Sequence, residues 1–520
     1  MKTITDNAKS RLYVSLIIFG ISIRAISLLT KGMEDVDVMV NWGINVSNLG
    51  WDKGYLAIYF PTSHLIFNAI VEVSNSFNLE VFNLFTEVRL FSDLIFLFFL
   101  LYLNKSGFLT KKFVVLIWLN PLLLILTLSG YTDTFSITLL TASLVFLLIY
   151  QRDNNKLYSL LTGIFLGLFL FLKPQTLLLT LYLFFFILIF NFIGLKKEKF
   201  LDKIWVFCTL IFPSLFIFCL YSIMLSSPTK LTCGENVGPR TISSLETSGL
   251  TEWNVCIEPD QIGLPYPNSG PAICVENKDK AFSPLGGNGF CVNNYKYVSP
   301  KSINDYWETG FIKLKNQVIN GSAEHMPSYS ANMPNLWHIY VVNYLDYDQA
   351  REVWSYKAKD YFNKIAWFSI LIFVLLYSFL ILFTYRPYID RYLEIISLIG
   401  FPITFIVPIF ATLAHENHLA LGVFFTYLLL NLNTFRNRFK NLFHILIFVI
   451  SSLMALNIAR LYLWPMWNQS NNSILNSVGE ILIDLVTIPS IYQISVISTF
   501  AALLILTFLP FASYPSRRMR

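Results

Sequence analysis

Charge is what this chain lacks. Asp, Glu, Lys and Arg make up 13% of its 520 residues, against about 25% in an ordinary soluble domain, which excludes a cytosolic globular enzyme. Neither sign dominates: the net charge is +6, and no basic, aromatic-interleaved segment runs along the chain to track a phosphodiester backbone, which argues against a nucleic-acid partner. Cysteine is scarce, with six in all, and short-period repeats and low-complexity tracts are absent. What is abundant is apolar: 55% hydrophobic residues and 47 phenylalanines, gathered into long runs.

Twelve runs are long enough to cross a bilayer at about 20 residues each: 12–30, 82–103, 113–129, 133–150, 157–172, 176–194, 204–225, 363–384, 392–413, 418–434, 440–463 and 489–511. The first contains Arg24 and is followed by no small-residue cleavage pattern, so it reads as an uncleaved helix rather than a secretory signal. With the N-terminus inside, the cytoplasmic loops collect Lys105, Lys111, Lys112, Arg152, Lys196, Lys197, Arg386, Arg391, Arg436 and Arg438, while the opposite short loops hold only Lys31, Lys53 and Lys173. Retention of Lys and Arg on the cytoplasmic side then predicts both ends inside. The expected fold is an all-α polytopic membrane protein, a bundle of about twelve helices with a large extracytoplasmic loop region. Residues 1–225 form an N-terminal membrane module, 226–360 the loop region and 361–520 a C-terminal membrane module. The loop region carries Cys233, Cys256, Cys274 and Cys291, which on an oxidising side predict two disulfides of open connectivity. Their spacings of 23, 18 and 17 residues lack the paired pattern of a zinc site.

Polar groups at helix ends in so apolar a chain are functional candidates, because keeping them there costs free energy. Four groups fall on one side of the predicted topology. Glu34, Asp35 and Asp37, followed by Trp42 and Tyr59, would supply a general base, a metal site or a solvated turn. Asp133 follows Ser129-Gly130-Tyr131-Thr132 and also suits a helix start. Lys173 stands before Pro174 and Gln175, placed either to snorkel or to bind phosphate. His415-Glu416-Asn417-His418 is one residue too short for a zinc-protease motif. Arg24 and Arg460 lie deeper in their runs, where arginine ordinarily faces a polar cavity or an anionic partner.

In this order the motifs resemble those of the GT-C glycosyltransferases that use polyprenyl-phosphate sugars, most of all the dolichyl-phosphate-glucose glucosyltransferases and their bacterial relatives. Asp35, Asp37 and Trp42 match the spacing of that family's first outer loop, and Tyr59-Phe60-Pro61-Thr62 is similar to its Tyr-Pro-Pro with one proline lost. Asn120-Pro121 with Gly130-Tyr131-Thr132-Asp133, Lys173-Pro174-Gln175, Asn335-Leu336-Trp337 and His415-Glu416-Asn417-His418 look like the family's later motifs, with Asn417 where lysine is common. The segment 226–310 matches none of them.

The resemblance implies an inverting hexosyl transfer from a polyprenyl-phosphate sugar to a lipid-linked glycan or other extracytoplasmic acceptor. Asp35 is then the general base, with Asp37 as second choice. Lys173, Arg24, His415 and His418 are expected at the donor phosphate, and Trp42, Tyr59, Asp133, Gln175, Trp337 and Glu416 at the substrates. No cofactor or metal is expected. An Asn-, Ile- and Lys-rich composition and the Lys-Pro-Gln motif favour a bacterial inner membrane with the site facing outward. Two other classes compete: an oligosaccharyltransferase or glycan polymerase with a pyrophosphate donor and, for the former, a divalent metal, and a flippase for lipid-linked glycans, which would carry its charges near mid-membrane.

Overall fold

The computed structural model describes residues 2–30, 32–51, 55, 60–193, 200–225, 230–233, 295–298, 334–344, 360–385, 392–411, 418–432, 437–470, 472–485 and 490–512. Tyr59, Cys256, Cys274, Cys291, His415 and Glu416 lie outside the described residues.

The first half runs through α1 (Lys2–Ala25), α2 (Glu34–Leu49), α3 (Pro61–Phe77), α4 (Val81–Lys105), α5 (Lys111–Trp118), α6 (Pro121–Ser129), α7 (Asp133–Asp153), α8 (Lys156–Leu170), α9 (Pro174–Ile193) and α10 (Phe200–Leu225). An antiparallel ribbon of β1 (Lys230–Cys233) and β2 (Tyr295–Val298) follows, with Lys230 opposite Val298 and Cys233 opposite Tyr295. The second half comprises α11 (Leu336–Tyr344), α12 (Asp360–Tyr385), α13 (Tyr392–Phe410), α14 (Ala420–Asn431), α15 (Asn437–Ile458), a π-helical turn (Ala459–Leu463), α16 (Trp464–Asn468), α17 (Ser473–Leu485) and α18 (Ile491–Phe508).

Every predicted apolar run overlaps a helix among the described residues. Among the described residues seven helices are long and apolar enough to cross a membrane, and α5 with α6 makes an eighth if the pair is one span bent by 41°. Four shorter apolar helices lie within α8, α9, α14 and α17. The bend has a local cause: Pro121 cannot donate to the preceding turn, and the Asn120 side chain accepts instead from the amides of Leu122 and Leu123 at 3.0 and 3.4 Å. Hydropathy alone misses α2 and α3, whose apolar residues are interrupted by Asn, Ser and Glu; the two pack against each other where Gly43 meets the backbone of Phe67.

The interior is built around three enclosed helices, α7, α13 and α14. All twelve residues of α14 are buried, and Phe401, Phe405, Phe424 and Phe425 stack around Gly400, where any side chain would collide with the Phe425 ring. α8 and α10 come closest together: a methyl group at Gly163 would meet the Thr209 carbonyl oxygen at 1.8 Å, and one at Gly167 the Ser214 Cα at 3.1 Å. Such small-residue spacing lets membrane helices approach backbone to backbone.

Candidate active site at the helix ends

Four stretches distant in sequence are joined by backbone at one end of the N-terminal module. The amide of Met33 donates to the carbonyl of Ser129 at 2.9 Å, binding the start of α2 to the turn between α6 and α7. Gly32 and Gly130 face each other across that junction with φ of +95° and +100°, and a side chain on either would meet Val36 at 2.7 Å, so the crossing demands glycine on both sides. The Thr62 amide donates to Phe171 at 3.0 Å and the Ser63 hydroxyl to Leu172 at 2.7 Å, which seats the beginning of α3 directly before Lys173. Thr62 also shares a 2.7 Å hydrogen bond with the Tyr221 hydroxyl of α10.

The acids expected on a loop occupy the first turn of α2, where negative charge is favoured by the helix dipole. Asp35 and Asp37 are both exposed. Two residues apart on a helix they do not share a face, so one substrate atom would meet one of them and not both. Trp42, seven residues beyond Asp35, returns to the same face two turns on and is buried, stacked on His64 at 5.3 Å with Phe67 beside it. It holds α2 against α3.

Lys173 and Asp133 come together. Lys173 Nζ lies 3.1 Å from Asp133 Oδ2, both side chains almost wholly enclosed. Asp133 opens α7, while Lys173 is held before α9 by its amide donating to the Thr176 hydroxyl at 3.0 Å. Gln175 belongs to the first turn of α9. Tyr131, between the glycine crossing and Asp133, meets Tyr462 of the π-helical turn edge to face at 6.1 Å.

Arg24 finds its anionic partner within the chain. Its Nε donates to Asp93 Oδ2 at 3.2 Å, and its guanidinium lies over the Trp118 indole, 3.6 Å from the ring centroid. Asp93 accepts a second hydrogen bond from Thr127 at 2.5 Å. This internal pair occupies the charge expected at a donor phosphate. Arg460 departs in the opposite sense: it is exposed on the π-helical turn instead of facing the interior. Sequence reasoning passed over Arg89 and Asp93, both buried in α4. The signal was present, since two ionisable residues four apart in an apolar run mark one helix face and an intramembrane polar site.

In the C-terminal half the Asn335-Leu336-Trp337 motif docks α11 onto the end of α13. The Asn335 side chain accepts from the amides of Trp337 and His338 at 3.1 and 3.2 Å and donates to Ala411 at 3.3 Å. The Trp337 indole donates to Phe410 at 2.7 Å, so this residue, expected at the substrate, anchors the segment leading into His415 and Glu416. His338 is buried beside it, and burial lowers its pKa to about 4. His418 is half-buried just before α14. Among the described residues no three His, Cys, Asp or Glu side chains gather closely enough to share a metal ion.

No family model matches this chain and no curated protein matches it in sequence. Among solved structures it is similar to the Archaeoglobus fulgidus oligosaccharyltransferase tethered with an acceptor peptide containing the NVT sequon, at 12% identity and a TM-score of 0.40. It is also similar to archaeal oligosaccharyltransferase AglB from Archaeoglobus fulgidus in complex with an inhibitory peptide and a dolichol-phosphate, at 11% identity and a TM-score of 0.38. Each alignment covers 92% of this chain and 60% of the other, so the chain spans about 60% of the length of the structures it matches. Likeness at this level says nothing of the reaction.

Proposed function

We propose that this chain is an inverting glycosyltransferase that moves a hexose from a polyprenyl-phosphate sugar to a lipid-linked glycan or other extracytoplasmic acceptor, working at the outer face of a bacterial inner membrane. One observation carries the reading. The first turn of α2, with Asp35, is hydrogen-bonded to the turn that leads to Asp133, and Asp133 pairs with Lys173. An exposed acid and a basic residue are thereby tied to one end of an apolar bundle, which is what transfer between two lipid-anchored substrates requires.

Asp35 takes the proton of the acceptor hydroxyl as its oxygen attacks the anomeric carbon. The bond from that carbon to the phosphate oxygen breaks, its electron pair leaves with the lipid phosphate, and the configuration inverts. Lys173 and one of His415 or His418 offset the charge that grows on the leaving phosphate. Asp37 points from a different face of α2 and is the second choice of base.

The test is incubation of the purified protein with polyprenyl-phosphate glucose, mannose and galactose, with mass analysis of the lipid-linked products. Asp35→Asn should lower transfer by about 10²- to 10⁴-fold, the usual contribution of a general base, while leaving the protein folded, because the side chain is exposed. Near-normal transfer by this variant would refute the assignment of the base. A parallel arm with a pyrophosphate-linked oligosaccharide and a chelator separates the oligosaccharyltransferase reading: turnover of that donor alone, lost on chelation, would replace the present one.

A further inference from the structure

Arg89 is buried to 1% exposure in α4. Its Nη2 donates to the Thr86 hydroxyl at a long 3.4 Å, while Nε and Nη1 have no hydrogen-bond partner among the described residues. Its nearest acid, Asp93, already accepts from Arg24 and Thr127. Two buried guanidinium groups therefore share one carboxylate, and the cluster holds a surplus positive charge in an apolar bundle, an arrangement that is strongly unfavourable unless something neutralises it.

The surplus is aimed at a definite place. Arg89 Nη1 lies 2.8 Å from where a Cβ on Gly130 would stand, on the same spot that Gly32 approaches from the other side. Around that turn and the start of α7 the hydroxyls of Ser129, Thr132, Thr134 and Ser136 are buried and likewise have no partner among the described residues. Elsewhere buried hydroxyls such as Thr141, Ser397 and Thr426 donate to the carbonyl one turn back. Thr134 also lines a small cleft with Arg24 and Asp93. Every unsatisfied group in this set can donate a hydrogen bond, which is what the oxygens of an oxyanion accept. Above them the two glycine turns touch without side chains and are tied by the Met33–Ser129 hydrogen bond.

We propose that Arg89, with the hydroxyls of Ser129 and Thr132 in the turn before α7, forms a subsite for a phosphate group beneath the glycine crossing. The inference rests on the functional reading above only for the phosphate's being carried by a polyprenyl lipid; a free phosphate ion shares the chemistry. The subsite is separate from the Lys173–Asp133 pair and replaces Arg24 as the arginine that meets the donor or the released lipid phosphate.

The experiment measures binding directly on the full-length protein in nanodiscs, with undecaprenyl phosphate, undecaprenol and inorganic phosphate as probes. Wild type should bind undecaprenyl phosphate at least tenfold more tightly than undecaprenol. Arg89→Gln should abolish that preference and leave undecaprenol binding unchanged, and Arg89→Lys should restore part of it. Should Arg89→Gln not fold, the Ser129→Ala/Thr132→Ala variant, which keeps the cation, serves instead and should weaken undecaprenyl phosphate binding several-fold. Unchanged preference in a folded variant overturns the proposal. Arg89-dependent binding of inorganic phosphate that does not compete with the lipid assigns the site to a free ion and overturns the lipid source. Asp35→Asn keeps the binding whatever becomes of transfer. Loss of the reaction reading with binding intact is thus distinguishable from loss of the subsite with transfer intact.

Discussion

Two buried ion pairs of nearly equal length stand in different settings. Arg24 meets Asp93 at 3.2 Å and Lys173 meets Asp133 at 3.1 Å. The first joins two long helices, α1 and α4, and is closed over by the Trp118 ring and the Thr127 hydroxyl. The second joins the starts of two helices, α7 and α9, beside turns tied to α3 and close to the glycine crossing. Burying a pair costs desolvation of both ions, and removing one partner is worse than never having had either. A pair held by helix packing repays that cost in helix register. A pair assembled at turns is the one whose partners a substrate phosphate would exchange with in the proposed reaction. Equal geometry therefore does not mean equal purpose; the elements that carry the charges decide.

The sharpest way to break this comparison is to neutralise one acid of each pair. Asp93→Asn strands Arg24 and Arg89 together and should cost about 3–5 kcal/mol, read as loss of the monodisperse peak after detergent extraction. Replacing Arg24 and Asp93 together by Met and Leu should recover only part of that loss, because the buried Arg89 is still left without its carboxylate. Next in size, Lys173→Met should lower transfer by about 10²-fold or more through lost stabilisation of the leaving phosphate, with a smaller fall in melting temperature than Asp93→Asn gives. If Lys173→Met unfolds the protein as readily as Asp93→Asn does, the distinction between the pairs is wrong. The smallest effect comes from a third way of burying a titratable group, without any counter-charge. His338 stays neutral in the fold, with a pKa near 4 against 6.5 when free. Between those values the unfolded chain binds more protons than the folded one, so stability is fully present above about pH 6.5 and declines as the pH falls toward 4. The melting temperature should slope downward through that window, and His338→Phe should flatten the slope.

Much of the helical plan was legible because it is written in composition. A run such as 392–413 has no soluble reading, and it appears as α13 at Tyr392–Phe410. α2 and α3 were not legible, since Asn41, Ser47, Asn68 and Glu72 lower the local hydropathy while their apolar faces pack against each other, a fact of three dimensions. The candidate site divides the same way. Asp35, Asp133 and Lys173 stood out as charges at run ends, but which would meet which was invisible: forty residues separate Lys173 from the acid it pairs with. Arg89 and Asp93 lie inside the apolar run of α4, where a charge costs more than at a run end and is the stronger signal.

The close packing of Gly163 and Gly167 on Thr209 and Ser214 has a mechanical corollary. With backbone pressed on backbone, α8 and α10 have no side-chain layer through which to slide, so they behave as a single stiff strut. Lys173 stands three residues past the end of α8, and the Tyr221 hydroxyl of α10 grips Thr62 at the head of α3. The basic side of the site is therefore a fixed anvil. In the proposed reaction, whatever travel the substrates demand falls to the first turn of α2, where the Asp35 carboxylate rides.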